Sequence, residues 1–387
     1  MTMKKRKICV INGKRGGFNA LLPTMRAFNE DPVCELQVVL TDMHLSKTFG
    51  HTIDYAKKLI KVSKIVPIGQ VGSSARERTE ALGRGLTGMA EALESLAPDI
   101  VLLLGDRSET LIATFAALQL KIPVAHIQGG EISGNIDGIQ RHAITKLSHL
   151  HFTETKKAAK RVEMLGEESW RIHYTGAPYI DFIKQKWYTP EHEVREKFNL
   201  KEDEQFFLVL MHPVTTEPEK SYAHMKETLS AIAETGIRAI IAYPCSDQGY
   251  QGVIDAIEAH KDNPQFSIHQ NIPAHDFIGL EACTTALIGN SSAGIYEAPY
   301  VYTPAVNIGK RQEGRERESN IIEVMNVEKK AIIEAIHTAM TDQDFREKLM
   351  HPEGIYGDGR AYERIVKTIK EIQLGETLFE KKTVFER

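Results

Sequence analysis

The chain has 387 residues, 42% hydrophobic and 26% charged, enough for two cores of ordinary domain size. A formal net charge of −4 gives no general attraction to nucleic acid or anionic membrane, and no apolar run approaches the roughly 20 residues that span a bilayer. Four scattered cysteines, Cys9, Cys34, Cys245 and Cys283, form no CxxC pair and have no histidine at metal spacing, so buried reduced thiols are expected and no metal site. The opening MTMKKRK is basic but has no apolar core of signal length, so a cytoplasmic location is expected.

The first apolar run, Lys7–Ile11, ends in Asn12-Gly13-Lys14-Arg15-Gly16-Gly17 before a helical pattern. Strand, glycine turn and helix invite a phosphate-binding reading with Arg15 supplying charge, but the spacing is neither GxGxxG nor a P-loop. A tight turn with a solvated arginine explains the same residues. Further runs at 36–41 and 64–69 give three strands in the first seventy residues. The polar, glycine-bearing stretch 70–80 predicts a loop, read either as a lid or as a solvated linker, before a helix carrying Met89, Leu93 and Leu96.

Residues 99–151 carry the densest pattern. Ile100–Leu104 and Pro123–Ile127 are too continuously apolar for half-exposed strands and fit a parallel sheet covered on both faces. Ligands in such sheets sit beyond the carboxyl ends of the strands, where Asp106, Arg107, Gln128 and Glu131 fall, followed by Asp137, Arg141 and His142. Strand-like stretches at 149–155 and 171–178 complete a doubly wound domain over 1–185. The charged stretch 181–205 reads as a connector.

A second set of buried runs begins at Phe206 (FFLVLMHP, RAIIAYP, FSIHQNI, TALIGNS, PAVNIG), predicting a second Rossmann-like domain over 190–364 and a cleft between the two. A last helical segment, 365–387, is expected to pack back on the first domain. In Gly289-Asn290-Ser291-Ser292-Ala293-Gly294, the turn after Ile288 offers backbone N–H groups and hydroxyls to a diphosphate, or caps a helix with no ligand. Glu297, one turn on, reads as a ribose acceptor or a solvated carboxylate. His212 ends another strand, as a proton donor or a structural histidine. Arg311 opens the basic loop KRQEGRER, where guanidinium charge would neutralise phosphate.

Taken together, GDR, HIQGGEISGNIDGIQRHAITKLSHLHFTET, YTGAP, MHPVTT, GNSSAGIYEA, NIGKRQEGRE and IYGDG resemble the hydrolysing UDP-N-acetylglucosamine 2-epimerase family, from Ile8 to about Ile372. The resemblance implies two doubly wound Rossmann-like domains facing a cleft, as in B-type glycosyltransferases, and homodimers or homotetramers. It also implies a nucleotide-sugar substrate and no cofactor. UDP leaves C1 as a base removes the C2 proton, and water adds to the resulting 2-acetamidoglucal, releasing N-acetylmannosamine for sialic acid synthesis. On the family's motif Asp106 and Asp137 are catalytic carboxylates. Glu131 and His212 join them as proton carriers. Arg15, Arg107, Arg141, His142, Asn290, Ser291, Ser292, Gly294, Glu297 and Arg311 are then the substrate-binding set.

Two departures stand out. Gln128, counted with the catalytic set, occupies a position where the family often has a carboxylate, so either Glu131 takes that task, or Gln128 only orients water and substrate, or the substrate differs; and Arg15-Gly16-Gly17-Phe18 replaces Arg-Ala-Asp-Tyr. A close subfamily acting on UDP- or GDP-linked N,N'-diacetylbacillosamine, for legionaminic acid, suits such changes and is the alternative. A non-hydrolysing epimerase, a glycosyltransferase and a non-catalytic nucleotide-sugar sensor complete the readings.

Overall fold

A computed structural model describes residues 4–69, 74–133 and 136–384. It divides into two units, each built on one parallel sheet. The first takes the chain up to Ile132, Asp137–Lys184, and the return segment from Tyr356 onward; the second includes Gln185–Ile355.

Seven strands form the first sheet: β1 (Arg6–Asn12), β2 (Cys34–Thr41), β3 (Lys64–Val66), β4 (Ile100–Leu104), β5 (Val124–Ile127), β6 (Leu150–Thr153) and β7 (Ile172–Tyr174), in the order 3-2-1-4-5-6-7. Register aligns Ile8 with Ile100 and Leu103 with His126, so the ends of β1, β4 and β5 share one edge. Strand order reverses at β1/β4, the point where such sheets open a crevice for ligands. Every residue of β4 and β5 is buried, which explains their unbroken apolar runs. Cys9, Val101, Leu103 and Val124 pack with Met89, Leu93 and Ala113 of the covering helices.

The second sheet has six strands: β8 (Phe206–Leu210), β9 (Arg238–Ala242), β10 (Phe266–His269), β11 (Ala286–Gly289), β12 (Ala305–Ile308) and β13 (Ile321–Val324), in the order 10-9-8-11-12-13. Its switch point is β8/β11. Two doubly wound halves are thus present, as the alternating pattern implied. β13 escaped the sequence reading because its IIEV run is only partly buried at a sheet edge.

Other differences are local. The stretch 181–205 is not plain connector: Pro178–Lys184 is a helix of the first unit and Glu191–Lys197 a helix of the second. Within 70–80, Ser74 caps a helix that starts at Ala75, with Glu77 bonding back in a capping box. Residues 70–73, like Gly134–Asn135 of the GNIDG motif, lie outside the described residues. The second unit ends at Ile355, so the return segment begins earlier than 365. Its helix, Ala361–Glu371, starts against the carboxylate of Asp181, which accepts from the N–H groups of Ala361 (2.9 Å) and Tyr362 (2.6 Å).

Candidate active site

In the first unit, the carboxyl edge of the sheet is held by buried histidines. His126 of β5 donates from Nε2 to the carbonyl of Gly105 (2.7 Å), and its Nδ1 lies 3.2 Å from the Thr145 hydroxyl. Burial lowers its pKa to about 3, so the ring is neutral and works as a strut under the turn that presents Asp106. His44 does the same for β1. Its Nε2 donates to Asn12 Oδ1 (2.9 Å) and its Nδ1 accepts from the Thr52 hydroxyl (2.9 Å), while burial and then the Arg15 charge lower its pKa to about 4.

Two glycines of the first turn, Gly13 and Gly17, serve internal packing, while a Cβ on Gly16 would meet open space. A Cβ on Gly13 would lie 2.6 Å from Glu109 Cγ, and one on Gly17 2.8 Å from Asn12 Nδ2. Arg15 sits half-buried at the start of the helix Arg15–Glu30.

Asp106, nearly buried after β4, forms an ion pair with Arg141, whose side chain is 0% exposed. Arg141 also donates to the Glu131 carbonyl (3.0 Å). One guanidinium therefore ties the β4 turn to the loop after β5, from the helix Ile136–Leu147. Asp137 lies in the first turn of that helix, half-buried, and Glu131 is wholly enclosed. His142, on the same helix, has its pKa lowered by burial and then by the charges of Arg141 and Arg161. Gln128 is buried, with φ +78°, and donates from Nε2 to Glu154 Oε2 (3.1 Å). Arg107 turns to protein partners, donating from Nε to Glu109 (2.8 Å) and pairing through Nη2 with Asp42 (3.4 Å).

The second unit places a separate group at β8/β11. Asn290 and His212 exchange hydrogen bonds: the His212 N–H donates to Asn290 Oδ1 (2.7 Å), and Asn290 Nδ2 donates to the His212 carbonyl (2.9 Å). The Asn290 side chain thus locks two strand ends together. His212 Nδ1 accepts from the Cys245 N–H (3.0 Å), so Nε2 carries the ring proton and the histidine is set as a donor. Gly289 has φ +141°, and a Cβ there would lie 2.2 Å from the Leu210 carbonyl oxygen, so only glycine brings β11 this close to β8.

Ser291 Oγ accepts from the Ala293 N–H (3.2 Å), closing the turn that leads into the short helix Ala293–Tyr296; Ser292 stands half-buried at its N-cap position. Gly294 packs on β12, where an added Cβ would meet Ala305 Cβ at 3.0 Å. Within the basic loop, Lys310 pairs with Glu217 (2.6 Å), Arg317 with Glu323 (2.9 Å), and Arg315 donates to the Tyr296 hydroxyl (2.6 Å). Arg311 differs. It is buried, donates to the Asn290 carbonyl and to Asp247 (3.3 Å each), and its buried Nε–H has no partner among the described residues. Glu297, one turn after Ser292, is half-buried next to Glu281, whose carboxyl is pushed well above its usual range by burial and then by the Glu297 charge.

Sequence reasoning missed His44, His126, Glu154, Asp42 and Glu109. Glu109 meets Arg107 only two residues away, but the others have partners distant along the chain, brought together by the packing of the strands. Among the described residues no three His, Cys, Asp or Glu are grouped to hold a metal ion.

The family model for UDP-N-acetylglucosamine 2-epimerase matches residues 26–370. UDP-N,N'-diacetylbacillosamine 2-epimerase (hydrolysing) of Legionella pneumophila is 32% identical over 377 residues, covering 97% of this chain and 98% of that one. GDP/UDP-N,N'-diacetylbacillosamine 2-epimerase (hydrolysing) of Campylobacter jejuni is 31% identical over 326 residues, covering 83% and 85%. In fold, the crystal structure of UDP-GlcNAc 2-epimerase from Neisseria meningitidis bound to UDP-GlcNAc matches with a TM-score of 0.79 at 19% identity, covering 95% of this chain and 100% of that one. With a family match across most of its length and full-length hydrolysing relatives, this chain belongs to the UDP-N-acetylglucosamine 2-epimerase family, among its hydrolysing nucleotide-sugar 2-epimerases.

Proposed function

We propose that the protein releases UDP from UDP-N,N'-diacetylbacillosamine and yields the free sugar inverted at C2. The observation that carries this choice of sugar is the likeness to the Legionella enzyme along nearly the whole of both chains, supported by the Campylobacter relative. It reverses the order of the two substrates expected from the motifs, which put UDP-N-acetylglucosamine first. UDP-N-acetylglucosamine stays the second reading, favoured by the likeness to the UDP-N-acetylglucosamine 2-epimerase of Neisseria meningitidis, 32% identical over 344 residues.

The residues divide the chemistry. The β-phosphate of the leaving UDP takes hydrogen bonds from His212 Nε2, Arg311 and the Ser291-Ser292 turn, so the C1–O electron pair departs onto a neutralised oxygen. Glu297 accepts from the ribose hydroxyls. Asp106, its charge balanced by Arg141, takes the C2 proton as that bond breaks, leaving a C1=C2 alkene. Water then adds, its hydroxyl to C1 with Asp137 as base, while Glu131 returns a proton to C2 from the opposite face. Arg15 and His142 contribute polar contacts to the sugar, whereas Arg107, held by Asp42 and Glu109, stiffens the β4 turn. Arginine and backbone N–H groups suffice for the diphosphate in this scheme. We place the activity in the cytoplasm, in a homodimer or homotetramer that analytical ultracentrifugation would identify.

The test of the substrate is kcat/KM for UDP- and GDP-N,N'-diacetylbacillosamine and UDP-N-acetylglucosamine measured side by side. A UDP-N,N'-diacetylbacillosamine value at least about tenfold above the others is expected, since an added hydrogen-bonded group in a matched site is worth a kcal/mol or more. Preference for UDP-N-acetylglucosamine would transfer the assignment to the second reading.

A further inference from the structure

A glutamine cannot carry a proton, so whatever Gln128 contributes at the edge beside Asp106 must come from the dipole of its amide. That dipole has a fixed direction in this fold. Glu154, wholly buried directly after β6, presents carboxylate Oε2 to Gln128 Nε2 at 3.1 Å. A carboxylate only accepts, so the NH2 end of the amide must face Glu154. The other end then faces the β4 turn: a Cβ built on Gly105, the residue before Asp106, would lie 3.4 Å from Gln128 Oε1. Turning the amide over would set two acceptors against each other in a buried place, at a cost of roughly a whole hydrogen bond or more.

The backbone is arranged to keep the side chain there. The Gln128 N–H donates to the Phe152 carbonyl on β6 (3.0 Å), and the residue is held at φ +78°, a left-handed conformation that is unfavourable for a residue with a Cβ. Such strain persists where surrounding contacts over-determine it, and it is common at ligand-handling positions. Thr155, next to Glu154, caps the following helix Lys156–Met164 by accepting from the Ala158 N–H (3.0 Å), which fixes the chain on the far side of Glu154.

We propose that Glu154 is a positioning residue: by orienting the Gln128 amide it makes Gln128 Oε1 a fixed, non-titrating acceptor beside Asp106 for an N–H or O–H of the bound sugar. Proton transfer at C2 is then left to Asp106 and Glu131. This inference rests on the nucleotide-sugar reading above, and it separates the sugar's contribution to binding from the nucleotide's.

Three variants of the full-length protein test it: Glu154→Gln, Gln128→Glu, and the double exchange Gln128→Glu/Glu154→Gln. Glu154→Gln lets the amide turn over, and about a tenfold loss in kcat/KM is expected with UDP affinity unchanged, the size of one oriented hydrogen bond. Gln128→Glu sets two carboxylates together and adds an alkaline limb to the pH–rate profile as their shared proton is lost. In the double exchange the new amide donates to the new carboxylate, whose second oxygen still faces Gly105, so activity recovers to within about threefold of wild type. Thermal melts accompany each. Recovery of melting temperature in the double exchange without recovery of kcat/KM, or losses confined to melting temperature, would reduce Glu154 to a structural residue and overturn the proposal. If wild type turns over none of the three nucleotide sugars, the functional reading fails instead. The sugar's share of binding, the ratio of Kd for UDP to that for each UDP-sugar by calorimetry, then decides, and an unchanged ratio in Glu154→Gln overturns the proposal.

Discussion

In the proposed mechanism, single side chains divide into those that face substrate chemistry and those that hold them. Asp106 and Arg141 form one such couple, and Arg141 is too enclosed to reach far from it. Replacing Asp106 by Asn keeps the shape and removes the base. Turnover is expected to fall about 10²–10⁴-fold, while UDP affinity measured by calorimetry stays within about twofold. Arg311→Ala should do the reverse, weakening UDP by about tenfold or more because a buried charged hydrogen bond is lost, with a smaller effect on turnover at saturation. Several of these residues were singled out in the sequence: Asp106 and Arg311 stand in motifs directly after apolar runs, and Asp137 opens the helix that follows β5. Their supports were not. His126 supports Gly105 from 21 residues away, and Glu154 meets Gln128 across 26; no local pattern records a contact set by strand register. Arg107 and Asn290, read from the sequence as ligand contacts, also have protein partners that the sequence did not reveal: Asp42 and Glu109 for the first, the His212 backbone for the second.

Among elements, the C-terminal segment shows most clearly how local pattern and tertiary contact divide the work. Its amphipathic helix was readable from spacing, but its docking depends on buried groups elsewhere in the first unit. Arg171 donates to the carbonyls of Thr377 (3.0 Å), Leu378 (2.6 Å) and Glu380 (3.1 Å). Glu167 receives Lys146 (2.6 Å), His151 (2.9 Å) and Lys381 (2.7 Å). Burial alone would raise the Glu167 carboxyl, but these donors outweigh it and bring its pKa down to about 2, from 4.5. A carboxyl depressed by folding stabilises the native state above its unfolded value and loses that contribution as pH falls through its folded one. The first unit should therefore lose stability between pH 4.5 and 2. Glu167→Gln should lower stability at neutral pH and flatten that acid limb, as denaturant titrations across the range would show. An equally steep limb in the variant would place the acid sensitivity elsewhere.

At the scale of the molecule, alternating apolar runs and polar turns revealed two parallel-sheet units because most buried strands are short and have glycine, asparagine or proline close to one end or both. Strand order was not legible in the same way, since it depends on which edges pair, and neither was the return of the chain to the first unit after Ile355. Partial burial hid β13 for a related reason: an edge strand needs no unbroken apolar run. Among the described residues no helix is long and apolar enough to cross a membrane. Each unit carries a polar group at the carboxyl ends of its strands, with Asp106 and Glu131 in the first and His212, Asn290 and Arg311 in the second. The central claim is that together they eliminate UDP and hydrate the product with inversion at C2. Proton NMR of UDP-N,N'-diacetylbacillosamine incubated with the enzyme in D2O tests it most directly. Free UDP and a free 2-epimeric sugar with deuterium at C2 are predicted; a product still joined to UDP, or a released sugar retaining its C2 configuration and proton, would contradict it.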